Sequence, residues 1–162
     1  MSFHSPADLQ KTFALNQIDK LYCAQSHMHE RLDEINDQPD FFDLHVAIRE
    51  AVNDMEQQIT NTNELYSAYK CEHSFELCDS LLQTMEEDFH AVQKHSGDSL
   101  RDISLVNYIQ SIQNIISAAF QLLQLGFKNL EAHFGIIIQR NYSEMVYGQR
   151  LKLLVVSKIH AD

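Results

Sequence analysis

The sequence predicts an all-α fold. Apolar residues recur at steps of three and four along five segments, and no segment sustains the period-two alternation of a strand. Pro6, Pro39, Gly97 and Gly126 fall where helices are expected to start or stop. Four long helices, with a shorter one between the second and third, suggest a bundle with a crossover connection. The 162 residues fit a single domain, 1–162, that can bury a real core.

Each element has its own signals. Ser5-Pro6-Ala7-Asp8 reads as an N-cap, a proline at the first helical position and an early acid, so a first helix runs to about Asn36. Its stripe is Leu9, Phe13, Leu21, Gln25, Met28, Leu32 and Ile35. Asp37-Gln38-Pro39-Asp40 breaks it, and a second helix follows from about Phe41 to Tyr69, carrying Leu44, Ile48, Ala51, Met55, Ile59, Thr62 and Tyr66. The shorter element covers about Glu72 to Lys94, with Phe75, Leu82, Met85, Phe89 and Val92. After His95-Ser96-Gly97-Asp98, a fourth segment runs from Leu100 to about Leu125 through Ile103, Val106, Ile109, Gln113, Ile116, Phe120 and Leu123. Gly126 is its expected C-cap, and a last helix spans about Asn129 to Ile159.

Composition narrows the function classes. With 44% hydrophobic and 22% charged residues the chain is neither disordered nor membrane-spanning; Ile136–Ile138 and Leu153–Val156 fall far short of the ~20 apolar residues a bilayer needs. MSFHSPADLQ shows no secretory signal. Cys23, Cys71 and Cys78 are odd in number and lack CxxC spacing, which predicts reduced thiols and a cytoplasmic setting. The net charge of −11 repels phosphate backbones, so no nucleic-acid partner is expected. The cations Arg140, Arg150, Lys152 and Lys158 gather near the C-terminus, where a helix dipole favours them.

Four stretches, in collinear order, carry a family likeness. "NQIDKLYCAQ" (Asn16–Gln25) is similar to a first-helix pattern close to DQLxDLYxAE, and "IREAVNDMEQQITNTNELY" (Ile48–Tyr66) to FxEHLEETxxQVxRLExVF. "KCEHSFELCDSLLQ" (Lys70–Gln83) looks like KCxAMxGLIxE, and "RDISLVNYIQSIQNIISAAF" (Arg101–Phe120) like RDxALIxAAQxVEHYEIAAY. The last helix matches through Ile137, Ile138, Gln139, Tyr142 and Glu144, and the link after Tyr66 is several residues shorter than usual. The chain thus resembles the YciE/YciF-type ferritin-like family of bacterial stress-associated proteins. The resemblance implies a ferritin-like four-helix bundle with a shorter helix in the crossover between long helices 2 and 3.

A ferritin-like di-iron site takes a Glu from each of two helices and a Glu-x-x-His pair from each of the others. Positions three apart share a helix face, and hard carboxylates offset the charge of two cations. Carried over by the resemblance, the first-helix Glu falls on Gln25. On the second helix the matched positions are Ala51, Asp54 and Gln58; on the third long helix, Gln113 and Ile116; on the last, Glu144, Met145 and Gln149. Asp54 and Glu144 are the surviving carboxylates, so the metal site reads as lost. Gln25, Gln58 and Gln113 are expected to form a neutral amide network instead.

Other metal-like patterns are weaker. Glu87–His90 is the one Glu-x-x-His, on the charged run EEDFH, and reads as a solvated face. Cys23 and His27 are i,i+4 but lack a second pair of matching spacing. His27 and His29 lie about 200° apart on the helix, and both read as exposed imidazoles beside a half-buried thiol. Cys71 and Cys78, seven apart, read as sharing one helical face, where they pack or sense peroxide. No GxSxG, P-loop, Rossmann glycine pattern or HExxH occurs.

Two functional readings lead, with a thiol-based sensor on Cys23, Cys71 and Cys78 as a third. One is a non-catalytic bundle that needs no cofactor and acts by self-association as a dimer or by binding another protein; Phe41, Phe42, Phe127, Tyr142 and Tyr147 are candidates for its face. The other is a metal-binding oxidoreductase or iron-handling protein, using iron or manganese on Asp54, Glu144 and nearby histidines.

Overall fold

The structure is a computed structural model that describes residues 5–76, 78–126, 136, 139–140 and 150–161. Among them there is no strand, and the fold is all-α as the periodicity requires. Helix α1 spans Pro6–Asn36 and opens on a capping box. The Ser5 hydroxyl accepts from the Asp8 N–H at 3.2 Å, and the Asp8 carboxylate accepts from the Ser5 N–H at 3.0 Å.

The break at Pro39 is longer than the sequence suggests. Pro39–Leu44 forms a 3-10 turn, and α2 starts only at His45, running to Tyr69. The turn has its own anchors, since Phe41 and Leu44 are buried. Phe41 is therefore a core residue and not part of an exposed face, whereas Phe42 is 78% exposed. Lys70 ends α2 in the left-handed conformation, φ 53°, and the Cys71 N–H closes back on the Tyr66 carbonyl at 3.0 Å.

Helix α3 begins later than expected, at Asp79, and ends at Lys94. Cys71–Glu76 lie outside any helix, because the chain leaves α2 through Lys70 and must travel back to α1 before coiling again. Cys71 and Cys78 consequently share no helical face. Helix α4 covers Arg101–Gly126 and α5 covers Arg150–Ala161. Of the last helix expected over 129–159, Ile136, Gln139 and Arg140 are also helical, and the other positions before 150 lie outside the described residues.

Contacts fix the helix directions. Asp19 meets Tyr66, Gln25 meets Thr62 and Asn36 meets His45, so α1 and α2 are antiparallel. Cys78 meets Asp19, and Glu86 meets His27, so α3 runs parallel to α1. Arg101, at the start of α4, meets Asp40 just past the end of α1, and Tyr108 further along meets His27 and Phe89, so α4 is antiparallel to α1 and α3. Lys152 reaches Gln110 while Lys158 reaches Asp102, so α5 is antiparallel to α4.

One apolar core runs through these contacts. Ile18, Leu21, Met28, Leu32 and Ile35 of α1 pack with Ile48, Ala51, Met55 and Leu65 of α2, and with Leu105, Ile109, Ile112, Ile116, Phe120 and Leu123 of α4. Each fully buried aliphatic side chain contributes about 1.5–3 kcal/mol. Met85, Phe89 and Val92 of α3, and Leu151 and Val155 of α5, join from the sides. Leu9, Phe13, Phe75 and Ile103, expected on inner stripes, are exposed. Leu9 and Phe13 lie in the first two turns of α1, and Phe75 in the non-helical crossover.

A polar clamp ties one end of the molecule together. Arg101 donates to the Asp40 carbonyl and to Asp43 (3.1 Å) and Asp102 (2.7 Å), with its guanidinium 5.2 Å from the Phe41 ring centre. Lys158 of α5 pairs with the same two carboxylates. Arg101 is buried and Asp102 half-buried, whereas Asp43 is exposed and Lys158 half-buried, so this is a partly buried ionic cluster of matched charge.

Candidate functional site

The positions matched to family ligands fall into three groups. Gln25 and Gln58 are buried between α1 and α2. The Thr62 hydroxyl donates to Gln25 Oε1 at 2.7 Å, while Gln25 Nε2 and both side-chain polar atoms of Gln58 have no hydrogen-bond partner among the described residues. Thr62 lies four residues after Gln58, so both stand on one face of α2, the face turned to Gln25. Ala51 and Ile116 are ordinary core residues.

Asp54 is half-buried; burial raises its pKa above the usual carboxylate range, and nearby Glu50 adds to the effect. Gln113 is also half-buried, on the α4–α5 side, where Lys152 Nζ donates to its Oε1 at 3.4 Å. The expected amide network among Gln25, Gln58 and Gln113 is not formed: Gln25 uses a threonine, Gln113 a lysine, and Gln58 no group among the described residues. Glu144, Met145 and Gln149 lie outside the described residues.

This donor set does not fit a pair of hard cations. Among the described matched positions only Asp54 carries charge, and the amides of the glutamines, the methyl of Ala51 and the sec-butyl of Ile116 do not balance two divalent ions. Among the described residues no group of three or more His, Cys, Asp or Glu is placed to hold a metal. What Gln25 and Gln58 offer is neutral: two donor amides and one open carbonyl in a site of low polarity.

The conspicuous residues of α1 also sit differently from expectation. His27 is buried, not exposed, with Nδ1 2.8 Å from the Tyr108 hydroxyl and Nε2 2.9 Å from Glu86. Burial lowers its pKa, and the Glu86 carboxylate opposes that shift. Arg31 donates to the same Glu86 oxygen through Nε at 3.0 Å, which with His27 holds the Glu86 pKa down against its partial burial. Cys23 is buried as well, and its thiol pKa is pushed up by burial and by a hydrogen bond with Cys78. His29 is half-buried, and Glu87 and His90 are exposed, with Gln83 donating to Glu87 at 3.1 Å.

His27 lies two residues after Gln25, hence about 200° around the helix. Both are buried because α1 has neighbours on opposite sides, α2 against Gln25 and α3–α4 against His27. Tyr108 and Glu86 were not legible as its partners. The available signal is that Ala24, Gln25, His27 and Met28 leave α1 no wholly polar face.

A second buried polar set secures the crossover. Asp19 accepts from the Tyr66 hydroxyl and from the Ser74 N–H at 3.3 Å. Burial raises the Asp19 pKa, while these two hydrogen bonds counter it. Cys78 donates to the Asp19 carbonyl at 3.7 Å, so both ends of the non-helical segment are held on α1. Compared with family models, with curated proteins and with solved structures, the chain has no match in any of the three.

Proposed function

We propose that the chain is a ferritin-like four-helix bundle, a divergent relative of the YciE/YciF-type proteins, that works by association and not by chemistry at a di-iron centre. The observation that carries this is Gln25: where the resemblance calls for a glutamate ligand, a buried neutral amide stands, its carbonyl accepting from the Thr62 hydroxyl. The topology supports the bundle. Helices α2 and α4 both run antiparallel to α1, so the connection between them must cross the length of the molecule, and α3 travels in it.

Exposed apolar side chains support association. Phe42 (78% exposed), Val46 and Ile103 lie at the end where Arg101 meets Asp43, and such residues favour self-association as a dimer or contact with another protein. The three cysteines are free, in keeping with a reducing, cytoplasmic setting. No helix among the described residues is long and apolar enough to cross a membrane, and the charge of −11 disfavours nucleic acid.

Elemental analysis of protein purified from cells supplemented with iron and manganese tests the reading. The expected result is substoichiometric metal, unchanged in Asp54→Ala. Stoichiometric metal that disappears in Asp54→Ala overturns it in favour of an iron-handling or redox protein built on Asp54, Glu144 and nearby histidines.

A further inference from the structure

Between α1 and the chain entering α3 lies a cleft of about 420 Å³, lined by Tyr22, Cys23, Ser26, His27, Glu30, Phe75, Leu82 and Glu86. Its volume falls within the range of small-molecule sites. The lining has two characters. Tyr22, Phe75 and Leu82 form an apolar wall, the two rings 5.9 Å apart and tilted by 44°. Glu30 and Glu86 bring carboxylates to the same cleft, and Ser26 a hydroxyl.

The carboxylates have spare acceptors. His27 Nε2 and the Nε and Nη2 of Arg31 converge on Oε1 of Glu86, and Oε2 accepts from none of the described residues. Glu30 makes no hydrogen bond with the described residues and is exposed. Arg31 answers one of its two carboxylates, Glu86 and Glu34, and His27 is held toward its neutral form by burial, so the local balance is negative. The chain as a whole, at −11, adds to that potential.

We infer that this cleft is a binding site for a small organic ammonium ion with an apolar body. The body lies against Tyr22, Phe75 and Leu82, and the ammonium donates to Glu30 and to Oε2 of Glu86, within reach of the electron-rich ring faces. A carboxylate-bearing ligand of the same shape is repelled, and a neutral alcohol forfeits the charge attraction.

Two-dimensional NMR titration of the full chain with 2-phenylethylammonium, 2-phenylethanol and phenylacetate tests this. The expected result is saturable shifts at Tyr22, Ser26, Phe75 and Leu82 with the ammonium in the millimolar range, and binding of the other two probes weaker by about threefold or more. Glu30→Gln, at an exposed position that leaves the His27–Glu86 contact intact, is expected to weaken the ammonium by about threefold, and Phe75→Ala by a similar factor. No saturable shifts, shifts centred elsewhere, equal binding of the three probes, or indifference to Glu30→Gln overturns the proposal.

Discussion

Gln58→Met tests the account of the bundle centre most directly. Gln58 is 2% exposed and neither its Oε1 nor its Nε2 is hydrogen-bonded to a described residue. Burying a side-chain amide without partners costs about 1–3 kcal/mol. Methionine has the same length and unbranched shape, so the swap removes that cost with little change of volume. The variant is expected to be more stable than the parent by about 1–3 kcal/mol, with Tm raised by roughly 2–4 °C per kcal/mol for a chain of this size. Gln25→Met is the internal comparison. It removes an unpartnered Nε2 but also the acceptor of a fully buried Thr62 hydroxyl. Its effect should be less favourable than that of Gln58→Met by about 1 kcal/mol. Urea unfolding followed by far-UV circular dichroism, with an unchanged m-value, reads both. Loss of stability in Gln58→Met would refute the reasoning, since it would mean that the amide is satisfied in solution, by water or by another polar group.

Three further outcomes follow from the buried polar groups. Arg101→Ala should destabilise by about 2–4 kcal/mol in the same urea assay, because it leaves Asp43 and Asp102 with only Lys158. Arg101→Lys should recover less than half of this, since one ammonium cannot serve three acceptors in a fork; full recovery would contradict the clamp. Burial lowers the His27 pKa in the folded state, so as pH falls through the ordinary histidine range the unfolded chain takes up the proton first. Stability contributed by neutral His27 is therefore present above about pH 6.5 and is lost as pH falls below it. His27→Gln should flatten that slope, and an unchanged slope assigns it to other groups. Iodoacetamide on the native protein should label half-buried Cys71 first and spare buried Cys23 and Cys78 until urea is added. Equal labelling of all three by mass spectrometry would revive a thiol-sensing role.

The helices were legible because their cause is local. Ser5, Pro6 and Asp8 build the α1 start by contacts within one turn, and the α4 boundaries at Arg101 and Gly126 lie within a residue of the expected ones. The crossover was not, because its geometry comes from distant groups. Cys71–Glu76 stays uncoiled while Asp19, more than fifty residues earlier, holds Ser74 and Tyr66. The inner position of Gln25 could be read from its stripe. His27 could not, because periodicity assigns a helix one inner face, whereas α1 has two. Its partners Glu86 and Tyr108 carry no sequence mark linking them to it.

That two-sidedness of α1 has a kinetic meaning. During synthesis the α1–α2 pair emerges first, and Gln25–Thr62 and Asp19–Tyr66 close a hairpin of short sequence separation. The opposite side of α1, including His27, has no partner until Glu86 arrives, 59 residues later, and it is complete only with Tyr108, 81 residues later. Until then a nascent chain presents Cys23, Ala24 and His27 on a side of the helix whose neighbours do not yet exist. Loop-closure entropy delays such a contact, and the exposed stripe is the place where a holding chaperone or a misplaced neighbour would bind.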